Sequence, residues 1–202
     1  RPLVLCLEYP REKTREEATR ALGFIASHTP ELAQQVVEAG AVQSVIEYIE
    51  SEQLPLRRLS IFTLGEIAKH SLSLAEVIIK AGAVPKLAQL LKSTDPETKQ
   101  YACYTLAHIA KHSVETGNLV VEAEVFPQSL LCLNDSNATV RRNAATLVRE
   151  IVKHTQELAQ MVVNLGGAAA LVQFLRPKME NPPLNGVMAI GYISSFSQSL
   201  AS

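Results

Sequence analysis

The sequence predicts an all-α, right-handed solenoid with three helices in each 42-residue repeat. Four of the five histidines, His28, His70, His112 and His154, stand 42 residues apart with no insertion or deletion between them. The segments around them are alike, as in IASHTPELAQQVVEAGAV and IAKHSLSLAEVIIKAGAV. Self-similarity at a period of about 20–50 residues is typical of a stacked array, in which each repeat buries its apolar face against its neighbours.

Each repeat contains the start and stop signals of three helices. In the first complete repeat, Thr29 is suited to cap a helix that begins at Pro30, and Gly40 is suited to end it. A second helix follows from Val42, and a third is predicted over 56–69 from apolar residues at three- and four-residue intervals. Two helices per repeat would favour a HEAT array, whereas three helices with a glycine after the first favour armadillo repeats.

One continuous armadillo solenoid is predicted to cover residues 1–202. Its complete repeats are 29–70, 71–112, 113–154 and 155–196, with partial repeats at 1–28 and 197–202. Solenoids usually end in polar capping repeats, and neither end of this chain has one. Because the chain also begins with Arg1, we expect it to be an internal piece of a longer protein. Three prolines make 175–186 the least helical stretch.

The composition excludes several classes of protein. The chain is 47% hydrophobic and 19% charged, with a formal net charge of −1, which argues against nucleic-acid binding. No apolar run approaches the roughly 20 residues of a membrane helix, so we expect no membrane partner. Cys6 and Cys132 occupy equivalent positions three repeats apart and could not meet, which favours reduced thiols in a cytosolic-type compartment.

No catalytic residue, cofactor or metal site is predicted. We call His28, His70, His112 and His154 the histidine ladder, because stacked repeats would place these imidazoles about 8–10 Å apart. Zinc needs its ligands at about 2.0–2.1 Å, and no nucleophile recurs beside the histidines. The chain also lacks a phosphate-binding glycine loop, so an enzyme is not predicted. We expect each imidazole instead to cap carbonyls at the C-terminus of the third helix.

In armadillo arrays the third helices line a concave groove that accepts extended partners. Import receptors carry a Trp and an Asn at two recurring groove positions, and this chain has no Trp, which argues against that function. The first position holds Arg20, Phe62, Tyr104, Thr146 and Met188, and the second holds Phe24, Glu66, His108, Glu150 and Tyr192. We predict that Phe62, Tyr104 and Tyr192 anchor a partner protein, with Glu66 and Glu150 as hydrogen-bond acceptors and His108 on the same surface. The alternative is that the rings only pack between repeats.

Basic residues also follow the period. Lys69, Lys111 and Lys153 end the third helices, where the helix dipole favours cations. Arg57, Lys99 and Arg141 begin them, with Arg58 and Arg142 adjacent. Since arginines are unfavourable at the positive end of a helix, we predict that Arg57, Arg58, Arg141 and Arg142 bind an acidic partner such as a tubulin surface or an acidic tail.

The repeats resemble one family in particular. The segments KHTQELAQMVVNLGG, NAATLVREIVKHT, GVMAIGYISSFSQSLA and VVEAEVFP are similar to the armadillo protein of the ciliary central apparatus, the sperm-associated-antigen type. The most specific is VVEAEVFP, in which Glu124 replaces the glycine of the other repeats. The resemblance implies a non-enzymatic scaffold of the axoneme, a cytoskeletal part of the cytoplasm, that holds central-pair microtubules to projection proteins and supports motility. The alternative is a cytosolic adaptor that binds extended peptides in its groove.

Overall fold

The computed structural model describes residues 2–176 and 183–196, which form fourteen helices and no strand. The helices are α1 (Pro2–Leu7), α2 (Glu12–His28), α3 (Pro30–Glu38), α4 (Ala41–Tyr48), α5 (Leu54–Ala68), α6 (Leu72–Lys80), α7 (Ala83–Leu90), α8 (Pro96–Ala110), α9 (Val114–Glu122), α10 (Gln128–Cys132), α11 (Ala138–Val152), α12 (Gln156–Asn164), α13 (Gly167–Leu175) and α14 (Leu184–Phe196). The predicted partial repeat 197–202 and residues 177–182 of the predicted loop lie outside the described residues. The prediction that this loop extends to residue 186 is wrong, because α14 begins at Leu184.

The first helix of each complete repeat begins at a hydroxyl cap. The side-chain oxygens of Thr29, Ser71, Ser113 and Thr155 each accept a hydrogen bond from the backbone N–H three residues further on. The third helix of the first complete repeat begins at Leu54, two residues earlier than the sequence pattern predicts. Pro55 fits there because the first turn of a helix needs no N–H donor.

The turn between the first and second helices requires a left-handed backbone. Gly40, Gly82 and Gly166 adopt φ angles of +89°, +80° and +82°, which a residue without Cβ reaches at no steric cost. Glu124 stands at the equivalent position of the third complete repeat and adopts φ +59°, so it keeps the same left-handed conformation. The irregularity lies just beyond it, where the Phe126–Pro127 peptide bond is cis and α10 is only five residues long.

The third helices α2, α5, α8, α11 and α14 pack side by side in chain order. One hydrophobic core runs through the array, and equivalent residues such as Leu64, Leu106 and Val148 are fully buried in it. No single described helix is long and apolar enough to cross a membrane; α12 and α13 together reach that length and composition but are bent by 79°. Within the described residues, no cluster of His, Cys, Asp or Glu could hold a metal ion.

The histidine ladder connects neighbouring repeats. Nε2 of His70, His112 and His154 lies 2.7 Å from the carbonyl oxygens of Ala26, Ala68 and Ala110, each 44 residues earlier. A carbonyl only accepts, so each Nε2 carries a hydrogen and donates it. The histidines do cap helix C-termini, but the capped helix is the third helix of the preceding repeat rather than the histidine's own. Burial lowers the pKa of His112, which favours the neutral ring.

A lysine ladder of Lys69, Lys111 and Lys153 runs beside the histidines. Each lysine is the C-cap residue of its third helix. Nζ of Lys111 donates to the carbonyl of Lys69 at 2.6 Å, and Nζ of Lys153 donates to the carbonyl of Lys111 at 2.9 Å. The last carbonyls of a helix have no intrahelical partner, so these two ladders satisfy them across the repeat boundary.

Replacing His112 with Ala should lower the free energy of unfolding by about 1–2 kcal/mol, because the carbonyl of the buried residue Ala68 loses its donor. Urea unfolding followed by circular dichroism at 222 nm would measure the change. His28 is the matched control, because it is exposed and its side chain makes no hydrogen bond to any described residue. His28→Ala should therefore leave the unfolding free energy within about 0.5 kcal/mol. Equal losses in the two variants would contradict a bonding role for the ladder.

Candidate functional site

The exposed side of α2, α5, α8, α11 and α14, here called the third-helix face, displays the residues predicted to bind a partner. The packing of these helices brings equivalent side chains from successive repeats next to each other. Aromatic rings occupy the N-terminal part of the face. Ionisable groups surround Tyr104 in the middle, and Tyr192 lies on the last helix, half-buried against the core.

Three aromatic rings form a continuous row across three repeats. Phe24 packs edge-to-face against Phe62 with 6.3 Å between ring centroids, and Phe62 packs in the same manner against Tyr101 at 5.7 Å. Gly23 makes room for this row, because a Cβ there would lie 2.6 Å from Oγ1 of Thr63 and 3.3 Å from the Phe62 ring. Phe62 is one of the residues predicted from the repeat pattern, whereas Tyr101 stands three residues before the recurring groove position and was not predicted.

These rings are part of an open pocket of about 320 Å³ at the N-terminal end of α5. We call it the aromatic pocket; its lining residues are Arg20, Phe24, Pro55, Arg58, Leu59, Phe62, Glu97 and Tyr101. Phe24 is 55% exposed, the most exposed phenylalanine in the described chain. The pocket is thus an accessible apolar depression with charged groups at its edge.

Tyr104 and His108 form a polar group in the middle of the face. The hydroxyl of Tyr104 donates to Oε1 of Glu66 at 2.6 Å, and burial together with this bond raises the pKa of Tyr104. The Tyr104 ring packs edge-to-face on His108 at 4.3 Å. Burial, assisted by the nearby charges of Lys111 and Lys69, lowers the pKa of His108 to about 4, so its ring is neutral at pH 7. Its Nδ1 is buried and makes no hydrogen bond within the described residues.

Glu66 and Glu150 are buried rather than exposed, which argues against the prediction that they accept hydrogen bonds from a partner. They are 3% and 6% exposed, and each forms an ion pair with the lysine three residues further along its helix. Arg149 also pairs with Glu150. Burial alone would raise the pKa of Glu150, but the hydrogen bonds from Lys153 and Arg149 outweigh it and lower the pKa. Both carboxylates therefore satisfy charges within the chain.

Three of the four arginines predicted to bind an acidic partner, Arg57, Arg58 and Arg141, have partners within the chain. Nε of Arg57 donates to the carbonyl of Ser51 at 2.8 Å, and Nη1 of Arg141 donates to the carbonyls of Asp135 and Ser136 at 2.7 and 2.9 Å. Arg57 and Arg141 thus each stabilise the loop that precedes their own helix.

Arg58 joins two repeats through a bidentate pair with Asp95, the cap residue of α8. Nε of Arg58 lies 2.9 Å from Oδ2 of Asp95, and Nη1 lies 3.0 Å from Oε2 of Glu97. The hydrogen bond from Arg58 lowers the pKa of Asp95 to about 2. Reversing the charge at Arg58 would place carboxylates against each other between repeats. Arg142 is the exposed member of the predicted set, and its only described side-chain bond reaches Thr139.

The stability of the chain should depend on His108 in acid. Between about pH 6.5 and pH 4 the unfolded chain binds a proton at His108 that the folded chain does not, so stability falls as the pH falls through this window. The carboxylates with lowered pKa change stability in the same direction, and a comparison of variants removes their contribution. His108→Gln should reduce the loss of unfolding free energy between pH 7 and pH 4.5 by about 2 kcal/mol, a value discounted for partial exposure.

Urea unfolding of the chain and of His108→Gln at both pH values would measure this difference, with His28→Gln at an exposed site as the control. Identical acid sensitivity of the chain and His108→Gln would show that the imidazole is protonated as easily in the folded as in the unfolded state.

Comparison with known proteins defines the fold. The model of the armadillo/beta-catenin-like repeat matches residues 74–111, and no curated protein matches the chain.

The designed armadillo repeat protein YIII(Dq)4CqI is 24% identical, with a TM-score of 0.93 over 98% of this chain and 84% of its own. An engineered protein is 27% identical, with a TM-score of 0.94 over 98% of this chain and 82% of its own. YIII(Dq.V1)4CPAF, a designed armadillo repeat protein in complex with the peptide (KR)4, is 24% identical, with a TM-score of 0.91 over 95% of this chain and 80% of its own. The chain therefore has the all-helical fold of an armadillo-repeat solenoid.

Proposed function

We propose that the chain is a non-enzymatic scaffold that binds an extended segment of a partner protein along the third-helix face. The observation that carries this proposal is the continuity of that face across five helices held in one alignment. A fixed row of equivalent positions offers successive residues of an extended chain similar surroundings. A structural relative bound to a repetitive peptide supports the same use of the fold.

The chemistry of the face narrows the class of partner. Most of its charges are paired within the chain, so a strongly acidic or strongly basic segment would find few free charges. Among the cations, Arg142 is exposed, and Lys111 has no carboxylate within ion-pair distance in the part of the chain that the structure describes. A segment that mixes apolar residues with an occasional acidic residue suits this surface better than a uniformly charged one.

The resemblance to the armadillo protein of the central apparatus supports a finer assignment, a scaffold within motile cilia and flagella. In that setting the partners are central-pair projection proteins, and tubulin would meet the exposed cations. The segment on which the resemblance is most specific, VVEAEVFP, contains the left-handed turn residue Glu124 and leads directly into the short helix α10. The competing assignment is a cytosolic adaptor with the same binding face and no ciliary role.

Peptides selected from a random dodecapeptide display library should bind this face. Fluorescence polarisation of the labelled peptides would measure the dissociation constants for the chain and two double variants. The first double variant combines Arg142→Glu with Tyr192→Ala. Both residues lie on third helices and so on the proposed binding face, and we expect binding to weaken at least fivefold. Lys80→Glu with Leu165→Ala makes the same types of change at exposed positions outside the third helices, and should leave binding within twofold.

Circular dichroism should first show equal helicity in the two double variants. An equal loss of peptide affinity in both double variants, or a loss only in the Lys80→Glu, Leu165→Ala variant, would refute binding along the face.

Proximity labelling of the full-length protein in a multiciliated cell would test the finer assignment. We expect central-pair proteins and tubulin among the labelled neighbours, because a scaffold of the central apparatus lies within labelling range of both. The matched control is the same labelling enzyme directed to the axoneme without this chain. A neighbour set without axonemal proteins would overturn the ciliary role and leave the cytosolic adaptor.

A further inference from the structure

The aromatic pocket differs from the middle of the third-helix face in the apolar character of its lining. It lies at the N-terminal end of α5, where α2, α5 and α8 meet, and is set apart from the row of Tyr104 and His108. Its volume of about 320 Å³ is at the lower end of the range for ligand sites, about 300–1,000 Å³. It is therefore sized for a single large group rather than for a length of chain.

The floor of the pocket is apolar. Phe24, Phe62 and Tyr101 pack edge-to-face in a row, and Leu59 and Pro55 complete the lining. Phe24 and Pro55 are exposed, while Leu59, Phe62 and Tyr101 are half-buried. A group that covers these side chains removes apolar surface from water, which favours binding of another apolar group.

The charges at the edge of the pocket are neutralised within the chain. Arg58 is paired with Asp95 and with Glu97 at 3.0 Å. Arg20 is paired with Glu16 at 2.9 Å and with Glu17 at 3.3 Å. These pairs leave no unpaired charge at the edge of the pocket for a charged side chain to bind, and a charge placed against the rings would lose water without gaining a partner.

The pocket is formed before any ligand arrives. The bidentate Arg58–Asp95 pair fixes α5 against the start of α8, and Asp95 is itself held by the backbone N–H of Thr98 at 2.8 Å. On the other side, the missing side chain of Gly23 lets α2 approach Phe62 closely. Because these walls are already fixed, less conformational entropy is lost when a ligand binds.

We infer that the aromatic pocket is an anchor site that takes one large apolar side chain, of the leucine or phenylalanine class, from the partner segment. This inference rests on the proposed function, because the anchored side chain belongs to the partner segment that the third-helix face is proposed to bind. That side chain would determine which partner is bound. The pocket selects by apolar surface and size and excludes charged side chains.

Fluorine NMR can test the pocket without any selected peptide. Incorporation of 4-fluorophenylalanine labels all five phenylalanines, and Phe24→Tyr and Phe62→Tyr variants assign the two pocket signals. The probes are N-acetyl methylamides of leucine, phenylalanine, lysine and glutamate. The apolar probes should shift the signals of Phe24 and Phe62 saturably and leave those of Phe126 and Phe174 unchanged. Equal shifts from the charged probes, or no pocket shift from any probe, would overturn the anchor site.

A double-mutant cycle tests the same site with a display-selected peptide. The apolar residue of the peptide that is most sensitive to Ala is combined with Phe24→Ala, an exposed position where truncation leaves the core intact. We expect replacement of that residue to weaken binding at least tenfold on the unchanged chain but less than threefold on Phe24→Ala. When the same peptide replacement is combined with Tyr192→Ala, the two losses of binding free energy should simply add. Retained peptide binding to the face without coupling at Phe24 would refute the anchor site alone; failure of every peptide to bind the face would refute the proposed function.

Discussion

Free carbonyls at the C-terminus of each third helix impose the constraint on which this structure depends. A helix leaves its last four carbonyls without intrahelical partners, and burial without a donor would be unfavourable. Here the donors come from the following repeat, as the Nε2 of a histidine 44 residues later and the Nζ of a lysine 42 residues later. Because each donor occupies one fixed position in its repeat, the third helices align in a single way, and the face that they form inherits this alignment.

The repeat length, the helix order and the helix caps were predictable because they depend on residues close together in sequence. Thr29, Pro30 and Gly40 act within one turn of the helix that they start or end. The acceptor of each histidine was not predictable in the same way, because the imidazole reaches a different helix from the one it terminates. The predicted capping role of the histidines is therefore correct, but the capped helix belongs to the preceding repeat.

The same distinction explains the outcome at the candidate site. Arg58 stands at the unfavourable end of its helix, and only the stacking of repeats reveals Asp95 beside it. Glu66 has the polarity of a surface acceptor, yet the next repeat covers it with Tyr104. Tyr101 escaped attention because its neighbour Phe62 belongs to the preceding repeat. In a solenoid the residues of a site converge from equivalent elements of successive repeats, so the pattern within one repeat omits the neighbours that decide each side chain's role.

The fixed number of residues between each histidine and its acceptor has a consequence for how such a gene can change. One residue inserted into α5, α8 or α11 would lengthen the 44-residue separation in the one histidine–carbonyl pair that spans it and so move that histidine away from its acceptor. Loss of residues 71–112 as a block would instead leave His154 44 residues after Ala68, the same separation that now joins His112 to Ala68. Evolution should therefore tolerate duplication or loss of whole 42-residue units far better than small insertions within them. The number of repeats can vary between related proteins while the hydrogen bonds between repeats are preserved.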